Sequence, residues 1–142
     1  MKAEKGVIPI NRIDLAEEFL RDAKTNLENK SLRTSVSRSY YSVYHACVAL
    51  FEHYGYMAHY FLGRSGRPAK KWEHGIIVKK SYDELAMRYK ILDVQHVWWI
   101  NRLYRDRIQA DYRHDIPMTE KMAKESYNMA CVVYNKIREG MK

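Results

Sequence analysis

Residues 31–54, SLRTSVSRSYYSVYHACVALFEHY, are apolar on more sides than a surface helix has when read at 3.6 residues per turn. Val36, Tyr40, Val43, Cys47 and Leu50 form one stripe, and Tyr41, Tyr44, Val48 and Phe51 form a second beside it. A third face is uniformly small, with Ser35, Ser39, Ser42, Ala46 and Ala49, so another backbone can approach closely. Such a helix is either central in its bundle or also carries a subunit interface. Arg38 and His45, seven apart, share the remaining polar strip and are candidates for a site. The alternative is that they only satisfy neighbouring tyrosine hydroxyls.

The other segments read as helices too. Asn11 is the expected N-cap of a first helix over 12–29, with Ala16, Phe19, Leu20, Ala23 and Leu27 inward. Residues 72–89 return to helix, 90–94 link, and a helix from Gln95 runs toward Pro117. After Thr119, a last helix reaches about Arg138, burying Ala123, Tyr127, Ala130, Tyr134 and Ile137. No strand alternation and no internal repeat are visible. The expected fold is all-α, one domain over 1–142, an up-and-down bundle of four to five helices. Residues 1–10 are expected to be an extended leader. Residues 55–71, broken by Gly55, Gly63, Gly66 and Pro68, are expected to be a basic loop. The predicted core includes Tyr40, Val43, Cys47, Ile100 and Tyr134.

The net charge of +8 favours an acidic partner such as nucleic acid. Cys47 and Cys131 lie in apolar helical patterns and point to a reducing, cytoplasmic setting. No signal peptide and no membrane span are expected. The six histidines show no zinc-ligand spacing, so no metal and no cofactor are expected.

In QHVWWINRLYRDRIQADYRHDIP, at 95–117, Val97, Ile100, Tyr104, Arg107, Asp111 and His114 fall on one helical stripe. The stripe begins apolar and turns ionisable without changing face. Asp111 follows Arg107 at i+4, the weaker order for a helical ion pair, near a helix C-terminus that disfavours an anion. A tertiary or functional demand explains it better than local energetics. The bland reading is a structural Arg–Asp pair. The sharp one is metal-free RNA cleavage, which needs a proton acceptor for the 2′-hydroxyl, a donor for the 5′-oxygen and a fixed cation for the phosphorane. Arg107 is the always-charged clamp and His114 the group that titrates near neutrality. One histidine cannot do both jobs, but a two-fold dimer would supply two.

Three stretches resemble the HEPN family (higher eukaryotes and prokaryotes nucleotide-binding domains), in its small prokaryotic single-domain branch. They are LRTSVSRSYYSVYHACVALF at 32–51, EHG at 73–75 and RIQADY at 107–112, an Arg-x-x-Ala-Asp-Tyr motif. The resemblance implies a four- or five-helix bundle, often dimeric. It implies for many members ribonuclease activity with an Arg-x(4–6)-His motif, here Arg107 and His114. It also implies toxins neutralised by a small nucleotidyltransferase partner. Two function classes follow. One is a metal-independent endoribonuclease of a toxin–antitoxin or defence system. The other is a non-catalytic module binding nucleotide, RNA or a nucleotidyltransferase. In the first, Arg107 and His114 are catalytic, Asp111 orients Arg107 and Tyr112 shapes the pocket. Arg38, Arg64, Arg67, Lys70 and Lys71 are candidate phosphate contacts.

Overall fold

A computed structural model describes residues 11–142, so the leader expected at 1–10 lies outside the described residues. Five α-helices follow in order: α1 Arg12–Glu28, α2 Leu32–His53, α3 His74–Lys80, α4 Val94–Tyr112 and α5 Glu120–Gly140. Among the described residues there is no sheet, only one isolated bridge between Leu62 and Pro68.

α2 is the centre. It packs against α1, α4 and α5, which take up its first apolar stripe, while Val48 and Phe51 of the second are buried and Tyr41 and Tyr44 are half-buried. Val36, Tyr40, Val43, Cys47, Val48, Leu50 and Phe51 are all buried. The small face is where α1 comes close. The Ser35 hydroxyl donates to the Ala23 carbonyl at 2.7 Å, and Ser42 to that of Ala16 at 2.7 Å. The hydroxyls thus pair with carbonyls that close approach would otherwise crowd. Of the two explanations for so apolar a helix, the central position accounts for its stripes. Ile100 and Tyr134 are buried with Tyr40, Val43 and Cys47. Tyr127 and Cys131, expected inside, are only half-buried, while Ser126 is fully buried and donates to Asp106 at 3.0 Å.

Helix boundaries follow their caps. The Asn11 side chain accepts from the Asp14 amide at 3.0 Å, and Thr119 from Met122 at 3.1 Å. α4 starts with a box in which the Asp93 amide donates to His96 Nδ1 at 3.0 Å. The segment expected as one helix over 72–89 divides. α3 is α-helical to Lys80, and Ser81–Arg88 widens to a π-helix, closed by Tyr89 N–H to the Glu84 carbonyl at 2.8 Å.

α4 ends at Tyr112, short of Pro117. Arg33 on α2 caps that end. Its guanidinium donates to the carbonyls of Gln109, Ala110 and Arg113 at 3.1, 3.1 and 3.2 Å, and also to that of Ile116. One side chain therefore satisfies the orphan carbonyls of the helix end and ties down the turn after it. A small cluster of Val36, Ala110 and Ala123 packs nearby. His114 consequently lies on that exposed turn, not on the helical stripe that periodicity suggested.

Candidate functional site

The polar end of the α4 stripe opens onto a groove of about 1110 Å³ between α2, α4, α3 and the 60–64 segment. Tyr40, Tyr41 and Tyr44 come from α2, Tyr104 and Arg107 from α4, and His74 from the first turn of α3. The wall is aromatic because Tyr41 and Tyr44 of the second α2 stripe line this opening together with Tyr40 of the first.

Arg107 is held at the mouth. Its side chain is 16% exposed, and Nη2 donates to the Tyr41 hydroxyl at 2.6 Å. The Tyr41 and Tyr112 rings lie 5.1 and 5.4 Å from its guanidinium carbon. Nε is buried and stands 3.0 Å from Asp111 Oδ2, but its N–H is not aimed at that oxygen and forms no hydrogen bond. Asp111 is instead shared with Ser37, whose hydroxyl donates to Oδ2 at 3.3 Å. Burial opposes the charge on Arg107, yet Tyr41, Asp111 and Tyr112 outweigh it and raise its pKa. The result is a permanent cation with donor capacity left over.

His74 also lines the groove. Its Nδ1 is 3.0 Å from the Tyr40 hydroxyl, its Nε2 is 3.2 Å from Asn101 Oδ1, and its ring stacks on Tyr104. Burial lowers its pKa, against the Asn101 hydrogen bond. Burial also raises that of the Tyr40 phenol. Positive charge collects around them from Arg64, Lys71, Lys79 and Lys80. The acidic Glu73 is partly spent, accepting from the Arg64 amide at 2.9 Å. Gly63 makes this clasp possible, because a Cβ there would collide with the Glu73 carboxylate.

The basic segment is thus folded back on itself. The Ala69 amide donates to Phe61 at 2.9 Å and the Gly63 amide to Arg67 at 2.8 Å. Arg64 and Lys71 line the groove, whereas Arg67 and Lys70 are exposed outside its lining. Arg38 is elsewhere. It pairs with Asp22 at 2.8 Å, lies over Phe19 and borders a smaller hollow on α1. His45 is engaged as well, stacked on Phe19 and 3.2 Å from Arg12 Nη1. Tyr112 and His114 are exposed beyond the groove lining. Among the described residues no cluster of three or more His, Cys, Asp or Glu could hold a metal. No helix among them is long and apolar enough to cross a membrane.

The HEPN domain model matches residues 11–140. The chain belongs to the HEPN family. A relative from Methanocaldococcus jannaschii, named "Putative toxin MJ0605", is 29% identical over 130 residues, covering 92% of this chain and 86% of its own length. The fold of this HEPN chain is the all-helical bundle that the sequence predicts. Within the HEPN fold, Ala110 of the Arg-x-x-Ala-Asp-Tyr motif is a packing residue, while Arg107 and Asp111 face outward toward the groove mouth.

Sequence reasoning missed two groups in this HEPN protein. His74 was visible only as part of the EHG resemblance, and nothing in its spacing marks it as a groove residue. Arg33 reads as an ordinary surface arginine until α4 is packed beside it.

Proposed function

We propose that this HEPN protein binds RNA in the aromatic groove, with Arg107 holding a phosphate. The observation that carries the reading is the state of Arg107. A mostly buried guanidinium, held by Tyr41 and paired with Asp111 at 3.0 Å, lines the groove among four further cations. Tyr41 and Asp111 engage only part of its five-donor fork, and the rest can meet a phosphate. The basic rim and aromatic wall suit a strand with phosphates on one edge and bases on the other. A free nucleotide carries the same chemistry.

A second reading adds cleavage and is favoured by the turn at 113–116. Arg33 pins this turn just past Arg107, and it presents His114 in the open. In a homodimer, a second copy can bring its His114 to the bound strand. Arg107 would then stabilise the phosphorane, and two histidines would serve as proton acceptor and donor without a metal. Trp98 and Tyr112, both largely exposed on α4, offer that copy an aromatic surface. The toxin-named relative supports placing such an activity in a toxin–antitoxin pair, and the family resemblance suggests a small nucleotidyltransferase as the partner.

The test is incubation of a mixed RNA with the wild type, Arg107→Ala and His114→Ala in EDTA, following retention and cleavage together. The binding reading expects retention that Arg107→Ala abolishes. The cleavage reading adds products that His114→Ala reduces about 10²–10⁴-fold. RNA neither retained nor cut by the wild type would reject both.

A further inference from the structure

The His74–Tyr104 pair has a feature that RNA binding through Arg107 alone does not use. The two rings lie face to face, with centroids 3.6 Å apart and planes 12° off parallel. Both ring nitrogens of His74 are already occupied. The Tyr40 hydroxyl is buried, and among the described residues its only partner is His74 Nδ1. A buried phenol has a proton to donate, so Nδ1 must be the acceptor. The ring hydrogen then sits on Nε2 and is donated to Asn101 Oδ1. Protonating the ring would turn Nδ1 into a donor and strand the Tyr40 proton, a cost on the order of a broken buried hydrogen bond.

This arrangement makes His74 a poor proton shuttle. Either transfer would break a bond that holds the ring in place. What remains for a ligand is an outer face of the stack, since the two rings cover each other's inner faces and both line the groove. Tyr104 and Arg107 are three residues apart on one face of α4, so stack and guanidinium are neighbours about one helical turn apart. A planar ring joined to an anion through a short spacer fits both. That is the layout of a nucleotide.

We propose that the His74–Tyr104 stack is a nucleobase platform, on which one base lies while Arg107 holds the adjoining phosphate. Tyr40 and Asn101 are positioning residues that hold the imidazole neutral and in plane. The inference rests on the RNA-binding reading and adds the element that contacts the base. Groove charge supports it. Arg64, Lys71, Lys79, Lys80 and Arg107 line the groove, against Glu73 in its lining and Asp111 beside Arg107.

The experiment compares a labelled oligouridylate with an abasic strand of equal length by fluorescence anisotropy. Wild type, His74→Ala, His74→Phe and Arg107→Ala are titrated at one salt concentration. The wild type is expected to prefer the base-bearing strand about tenfold, the size of one stacked base. His74→Ala should erase that preference, His74→Phe should keep it, and Arg107→Ala should weaken both strands alike. If His74→Ala keeps the preference or weakens both strands equally, the platform is wrong while RNA binding stands. The same holds if His74→Phe loses the preference as fully as alanine. If the wild type binds neither strand, the RNA reading fails and the platform with it. UMP and ribose 5-phosphate as competitors then divide the source. Competition by UMP at concentrations like those of the strand assigns the platform to free nucleotides, and competition by the strand alone assigns it to RNA.

Discussion

Arg107 on α4 donates to the Tyr41 hydroxyl on α2 at 2.6 Å, joining two residues 66 apart in sequence at the mouth of the groove. The phenol fixes one edge of the guanidinium and leaves other donors unspent. Lysine at this position keeps the charge but loses the fork. Arg107→Lys should therefore weaken RNA binding by roughly tenfold, the worth of about one charge-assisted hydrogen bond. Tyr41→Phe should cost less, because it removes a positioning contact and leaves the charge. Titration of a labelled RNA checks both.

Asp111 lies 3.0 Å from Arg107 Nε and also accepts from Ser37. Asp111→Asn keeps the shape and removes the charge. Stability should fall by about 1 kcal/mol, a melting shift of about 2–4 °C, since the pair is only partly buried. RNA affinity should move the other way and increase, because a competing anion is gone. A loss of both would mean that Asp111 acts mainly by orienting the arginine.

Arg33 reaches the Gln109, Ala110, Arg113 and Ile116 carbonyls. Removing it as Arg33→Ala leaves the end of α4 uncapped and should destabilise the protein by about 2 kcal/mol. Amide exchange should quicken at Arg113 and Ile116, whose N–H groups bond within this turn. Exchange in α1 should be unaffected at the same denaturant midpoint.

Ser42 sits where α1 touches α2, fully buried and bonded to Ala16. Ser42→Ala should cost about 1 kcal/mol for the lost hydrogen bond. Ser42→Leu should cost more, about 1–3 kcal/mol or beyond, because α1 must be pushed away. Chemical denaturation distinguishes the two.

Acid sensitivity follows from the histidines. Burial, helped by Arg12, holds His45 down to about 4, and burial also lowers His74 and His96. Unfolding lets each return to about 6.5, so below that value the unfolded chain binds more protons. Their contribution is whole above about pH 6.5 and is lost progressively below it, for His45 down to about pH 4. Melting temperature should drop across that window, and His45→Gln should flatten the drop. An unchanged slope in that variant would assign the loss to other groups.

The bundle was legible because its signals are local. The two α2 stripes and small face, the Asn11 and Thr119 caps and the apolar start of α4 each act within a few turns. Arg107 and Asp111 were legible for the same reason, as ionisable residues continuing an apolar stripe. His114 was placed on that stripe, but α4 ends at Tyr112, and the turn beyond it is held by Arg33, about 80 residues away, a contact that no local pattern encodes. His74 was equally hidden. Its role depends on a short α3 packing its first turn against Tyr104 of α4 and Tyr40 of α2. Arg38, also a candidate phosphate contact, pairs with Asp22 of the neighbouring helix away from the groove, a pairing that its place on the α2 polar strip did not reveal.

The most direct measurement of the central claim is the affinity of a labelled single-stranded RNA for the wild type, Arg107→Ala and Arg38→Ala in EDTA at one ionic strength. The two variants remove the same charge, one at the groove mouth and one on α1. The account predicts at least a tenfold loss for Arg107→Ala and little change for Arg38→Ala. Equal losses in the two, or an Arg107→Ala protein that binds as the wild type does, would contradict it.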